Sequence, residues 1–220
     1  MVDRILKYIS IFLALLVVLP LHEFAHGFAA VKCGDLTPKI NKRYTINPFA
    51  HFDVYGLISF VLVGFGWAKP MPINPNNFKN YKRGAFFTSI AGVTANLLLA
   101  FFVYPLAILS LFVPQFGYFT LVLQQTLFYI ISLSLAFFIF NLIPVYPLDG
   151  FRIVDVFSKK RSKLYWFLRN QGIYVLYFLI ILSLFADLTG IWQIDLLGLT
   201  IGRLSAYVEI PIALFWGMFF

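Results

Sequence analysis

Four apolar runs set the terms on which this 220-residue chain can fold. They cover residues 8–31, 85–113, 120–143 and 172–188, and crossing the hydrocarbon core of a bilayer takes roughly 20 residues of helix. A fifth run, 196–220, carries Arg203, Glu209 and Pro211, and reads either as another span or as an interfacial or re-entrant segment. Composition points the same way. Hydrophobic residues make up 61% of the chain and charged ones 12%, whereas soluble domains are about half apolar and a quarter charged. The expectation is an all-α polytopic membrane protein, one integral domain over residues 1–220, with one or two helices following Arg169.

The formal charge of +8 could belong to a phosphate-binding face, but its placement argues otherwise. Lys32, Lys39, Lys42, Arg43, Lys69, Lys79, Lys82 and Arg83 fall between the first two helices. Arg152, Lys159, Lys160, Arg161, Lys163 and Arg169 follow the third, and residues 114–118, joining the second and third, hold none. Basic residues so divided act as topology signals and headgroup contacts, and no nucleic-acid partner is expected. Both basic connections then lie in the cytoplasm and the amino terminus outside, weakly opposed by Arg4 and Lys7. Those two residues also make the run 9–21 resemble a secretory signal. Cleavage after it would discard or expose the only closely spaced histidine pair. Cys33 does not mark a lipoprotein signal, because Lys32 precedes it where a small residue is expected. The segment is read as a retained helix, and the single cysteine excludes an intramolecular disulfide.

The connection between the first two helices is long and uneven. Runs such as Arg43-Tyr44-Thr45-Ile46, and the apolar stretch 57–63, are bounded by turn signals at Asn47-Pro48 and at Gly64 to Gly66. They predict a small β-hairpin or sheet at the membrane surface. Residues 70–80, with three prolines and four asparagines, predict extended loop.

Inside the first helix stands His22-Glu23-Phe24-Ala25-His26. Residues four apart share a helix face about one turn apart, which suits two imidazoles on one zinc ion. Glu23, beside the first, is placed to act as general base toward water. Each ionisable group in an apolar helix costs roughly 2.5–3.5 kcal/mol on insertion scales, so such groups are usually paired, metal-bound or functional. Catalytic zinc needs a third protein ligand and an open position. His51, the remaining histidine, lies in the loop. The stronger candidate is Asp149, in Asn141-Leu142-Ile143-Pro144-Val145-Tyr146-Pro147-Leu148-Asp149-Gly150. The two prolines must break the third helix there, and backbone so freed at membrane depth is tolerated only in protein or beside a wet cavity. The charge-derived topology places the histidines and Asp149 near the cytoplasmic ends of their helices, hence at one depth.

These residues resemble the site-2 protease family of intramembrane zinc metalloproteases. The matching features are His22-Glu23-Phe24-Ala25-His26 and Asn141-x-x-Pro144-x-x-Pro147-x-Asp149-Gly150, with Asn47-Pro48-x-x-His51-x-Asp53, Gly66-Trp67-Ala68-Lys69-Pro70 and Ala91-Gly92-x-x-Asn96 between them. The resemblance spans residues 15–155 and is to the compact form without a PDZ domain. It implies a three-helix catalytic core over about 8–155 and accessory helices over about 165–220. It also implies one zinc on His22, His26 and Asp149, with Glu23 as base. The implied substrate is a transmembrane segment of another protein, often a membrane-tethered regulator, cut in the cytoplasmic membrane of a bacterium or archaeon. Val93 and Val54 depart from the family pattern at positions where proline is common.

Further expectations concern support for the site. Asn141 is expected to orient substrate or stabilise an oxyanion, or else to tie the broken helix to its neighbours. His51 is expected either to approach the site or to serve the loop. An exposed strand edge of the hairpin, around Phe60 and Val61, could receive an unwound substrate. The rival readings are a membrane metal transporter, which has no need of Glu23 beside a ligand, and a metal-binding scaffold without activity.

Overall fold

The computed structural model describes residues 2–63, 66–158 and 161–220, apart from the side chains of 57 and 60–63. Its helices in chain order are α1 (Val2–Lys32), α2 (Thr37–Ile40), α3 (Val54–Val63), α4 (Tyr81–Ser110), α5 (Tyr118–Asn141), α6 (Asp149–Phe157), α7 (Lys163–Asn170), α8 (Gly172–Thr189) and α9 (Leu196–Trp216). Among the described residues, α1, α4, α5, α8 and α9 are long and apolar enough to cross a membrane. The run that begins at residue 196 is thus helical despite Arg203, Glu209 and Pro211. Five such helices make this an integral membrane protein.

The helices α1, α4 and α5 pack on one another along their lengths. Ala14 and Val18 meet Ala100, Val103 and Ala107, and Ile130, Ile131 and Leu135 close the cluster, with Ile212 of α9 against it. Lipid tails are as apolar as these side chains, so burial alone does not hold the helices together. Small residues allow close approach, and interhelical hydrogen bonds add to it. Ser10 Oγ donates to Gln125 Oε1 at 3.2 Å, joining α1 to α5. Gln124 Nε2 donates to Ser110 O at 2.8 Å, joining α5 to the end of α4. Trp216 Nε1 donates to Phe101 O at 2.8 Å and ties α9 to α4. The exposed side chains of Phe102, Leu106, Phe119, Tyr177 and Ile181 are what a lipid-facing surface requires.

The expected surface hairpin is not found. Among the described residues there is no strand, and the segment read as its second arm is the helix α3. Among the described residues, the β-type pairing is limited to an isolated antiparallel bridge, Phe52 to Ala68. A ten-residue run that is apolar but for Ser59 has no period-two alternation to force an extended backbone, and helix satisfies its backbone groups internally at a membrane surface. The substrate edge expected around Phe60 and Val61 is therefore helical backbone, with side chains outside the described set, as are all of Gly64 and Phe65 from the proposed turn. Lys159 and Lys160 of the second basic connection also lie outside it.

The rest of the connection is held by two polar hubs. Buried Asp35 accepts from Thr37 N (3.0 Å), Thr37 Oγ1 (2.5 Å), Asn74 N (2.7 Å) and Asn77 Nδ2 (2.8 Å), pinning residues 74–77 to the end of α1. Burial alone would raise its carboxyl pKa, but these donors outweigh it and hold it below the ordinary value. In the second hub, Arg43 Nη2 donates to Lys69 O at 2.8 Å and lies 3.4 Å from His51 Nδ1.

Candidate metal centre

α5 stops at Asn141, and the chain turns back through Pro144 and Pro147 into α6, whose first residue is Asp149. The reversal is tight. A Cβ on Gly150 would stand 2.3 Å from Leu142 O and 2.6 Å from Ile143 O, so a side chain there would push α6 away. The effect is to bring the Asp149 carboxylate against α1. His26 Nε2 is 3.1 Å and His22 Nε2 3.5 Å from Asp149 Oδ2, and the two imidazole nitrogens are 3.0 Å apart. All three residues are buried.

The donor set fits a metal ion. His26 Nδ1 donates to Thr88 O at 2.7 Å, which leaves Nε2 as the lone-pair nitrogen. It faces a carboxylate oxygen that has no hydrogen-bond partner among the described residues. Two acceptors so close need a proton or a cation between them. Zinc binds nitrogen and carboxylate oxygen at about 2.0–2.2 Å, so tetrahedral ligand atoms stand roughly 3.3 Å apart. The observed sides of 3.0, 3.1 and 3.5 Å straddle that value.

α4 supplies the back of the site from one face. Thr88, Gly92 and Asn96 follow at i, i+4 and i+8. Thr88 offers its carbonyl to His26, and Asn96, wholly buried, places Nδ2 3.1 Å from His22 Nδ1. Gly92 lies under the pair, where a Cβ would be 2.3 Å from His26 Nε2 and 2.6 Å from His22 Cε1. Sequence reasoning assigned Asn96 and Gly92 no role beyond their family-like spacing. The available signal was an amide and a small residue at helical spacing in an apolar run, where buried polar groups default to function.

Glu23 lies at the front. Met71 N donates to its Oε2 at 2.6 Å, so one carboxylate oxygen is pinned by the loop. Burial lowers the Arg43 pKa and the Glu23 charge opposes that shift, which makes Arg43 the loop's cationic neighbour of this carboxylate. His22 and Glu23 open onto a cavity of about 490 Å³ with Trp67, Ala68 and Asn141. It reaches Phe12 of α1, about 16 Å along the helix from Glu23 at 1.5 Å per residue, and Ile180 and Leu184 of α8 form part of its wall. Asn141 Nδ2 donates to Phe137 O at 3.0 Å, within its own helix. His51 joins neither the metal-type cluster nor the cavity. Its Nε2 is 2.7 Å from Thr45 O and its Nδ1 faces Arg43, so both nitrogens are used within the loop.

Helix packing and site together define a polytopic membrane protein with a His-His-Asp cluster and a carboxylate at the mouth of an apolar cavity. The sequence model of Peptidase family M50 matches residues 117–185, the stretch from α5 to α8 that contains Asp149. A Bacillus subtilis (strain 168) protein, "Putative zinc metalloprotease YwhC", is 40% identical over 145 residues, covering 65% of this chain and 66% of that protein. A Mycobacterium tuberculosis (strain H37Rv) protein, "Putative zinc metalloprotease Rip2", is 27% identical over 224 residues, covering 97% of this chain and 83% of that one. No solved structure matches. The chain belongs to peptidase family M50, the site-2 protease family.

Proposed function

We propose that this chain is a zinc-dependent intramembrane endopeptidase. Its substrates are membrane proteins, such as membrane-tethered regulators, cut within or near a transmembrane segment in regulated intramembrane proteolysis. The observation that carries the reading is the meeting of three buried metal-ligand-type side chains, His22, His26 and Asp149, with His22 and Glu23 lining one apolar cavity. The names of the two relatives, both zinc metalloproteases, support the choice of metal. His22, His26 and Asp149 would hold a single zinc, which when bound makes water more acidic and polarises the scissile carbonyl.

The chain's own residues supply the remaining work. Met71 N–H holds Glu23 Oε2 and leaves Oε1 to take a proton from the attacking water. As water oxygen bonds to the carbonyl carbon and the C–N bond breaks, Glu23 passes that proton to the leaving amine. Asn141 lines the cavity with one amide proton on Phe137 O, and its second is free to bind the substrate carbonyl. The apolar cavity limits water to the site while accepting the side chains of a membrane segment. The distribution of basic residues supports a site nearer the cytoplasmic face of a bacterial or archaeal membrane.

The test compares wild type with Glu23→Gln, purified in detergent with a model transmembrane substrate. Cleavage should fall about 100- to 10,000-fold, the range expected of a lost general base, while bound zinc stays near one ion per chain. Undiminished cleavage by Glu23→Gln would sink the mechanism. Metal flux in vesicles without cleavage would favour a transporter instead.

A further inference from the structure

Asn96 bears on how His22 can serve as a ligand at all. With Nδ2 turned toward His22, the amide donates and His22 Nδ1 must be the lone-pair nitrogen. The imidazole proton is then on Nε2, the atom that faces His26 and Asp149, and His22 has no lone pair to offer there. This orientation also leaves Asn96 Oδ1 buried and without a hydrogen-bond partner among the described residues. The opposite orientation of the same amide occupies the same space, since oxygen and nitrogen differ little in size. It sets Oδ1 against His22 Nδ1, which can then carry the proton and donate it. Nε2 becomes the lone-pair nitrogen, as His26 Nε2 already is through Thr88 O. An oxygen acceptor behind each imidazole is the usual way a protein fixes the tautomer of a metal-binding histidine.

We propose that Asn96 is a positioning residue for the metal: Oδ1 accepts from His22 Nδ1–H and fixes Nε2 as the ligand atom. Gly92 makes this possible by letting α4 approach until the amide, four residues further on, reaches the ring. The inference rests on the reading of His22 as a zinc ligand. In this arrangement α4 contributes no ligand but sets the orientation of both histidines, one with a backbone carbonyl and one with a side-chain amide.

Two measurements test it on the full chain in detergent. In protein labelled with 15N-histidine, only three imidazoles report, and the zinc-loaded form should show His22 with a protonated Nδ1 and zinc on Nε2. Zinc affinity by chelator competition should weaken about 10- to 100-fold in Asn96→Leu, the range seen when a ligand's supporting partner is lost. Asn96→Asp should hold zinc at least as tightly as wild type, because a carboxylate accepts the same bond. An amide needed only for helix packing would give the reverse ranking, with Asp the worse replacement. Equal affinity in wild type and Asn96→Leu overturns the inference, and so does a proton on His22 Nε2 in the zinc-loaded wild type, even if the Leu variant does not fold. Failure of the wild-type chain to bind zinc would remove the functional reading and this inference with it.

Discussion

Two groups of buried polar side chains are found in this fold, and they are built on opposite rules. Asp35 and His51 are closed off: the carboxylate has four donors, and both nitrogens of His51 have partners, one of them the Arg43 guanidinium. In the cluster of His22, His26 and Asp149, by contrast, His26 and Asp149 point acceptors at one another, and Asp149 Oδ2 is left without a donor. A buried polar group without a partner costs about 1–3 kcal/mol, more when charged. Closed hubs shape a loop, whereas an open cluster is stable only when something else completes it. The comparison predicts that variants of the open cluster lose zinc and variants of the hubs lose stability, with little crossing between the two.

The largest effect is expected at Asp149. Asp149→Ala removes a proposed ligand outright, so zinc affinity should drop more than about 100-fold, beyond what loss of a supporting partner causes. Chelator competition reads this directly, and affinity within tenfold of wild type would mean the carboxylate is not a ligand.

Much of the open cluster was legible in the sequence, for a physical reason. An ionisable residue in an apolar run is conspicuous because lipid excludes it, so His22, Glu23 and His26 stand out without any structure. Asp149 stands out through the two prolines that must end α5. The spans were legible from length and hydropathy, although 196–220 carried mixed signals from Arg203 and Glu209. The hubs were not legible. Asp35 meets residues about 40 positions away, and Arg43 reaches Lys69, so no local pattern announces either. His51 could be read as serving the site or the loop, and its two partners place it in the loop. The stretch 57–63 misled for another reason: Leu, Ile, Phe and Val in a short run, broken only by Ser59, suit a buried strand and a short helix equally.

A smaller effect, on stability and not on zinc, is expected at Asp35. Asp35→Ala leaves the N–H groups of Thr37 and Asn74 without their acceptor, at a cost of about 2–3 kcal/mol for bonds to a charged group. A thermal melt followed by tryptophan fluorescence should show it. The pH dependence has a definite sign. The folded pKa lies below the ordinary value of about 3.9, so the contribution is complete above about pH 4 and is lost as pH falls through the lower folded value. The gap in melting temperature between wild type and Asp35→Ala should therefore narrow under acid. A constant gap down to pH 2 would show that the charge is not what holds the loop.

The smallest effect on the metal, and the sharpest check on the comparison, belongs to His51. It is fully buried, and it lies in the same family-like loop as the Gly66–Pro70 segment that leads to Glu23. Its bonds, however, go to Thr45 O and Arg43, and Arg43 in turn holds Lys69 O, two residues before the N–H that pins Glu23. His51→Gln keeps a donor and an acceptor but cannot place both where the ring does. One neutral hydrogen bond at about 1 kcal/mol and one long bond from the charged Arg43 guanidinium at about 1.5 kcal/mol bound the loss of stability to roughly 2–3 kcal/mol. Zinc affinity should stay within about twofold of wild type, well short of the 10- to 100-fold assigned to a supporting partner. Cleavage should fall modestly, because a loosened Lys69 lets Met71 and Glu23 drift while the ligands stay fixed. If His51→Gln lost zinc as Asp149→Ala does, the loop histidine would belong to the open cluster and the division between the two regions would fail.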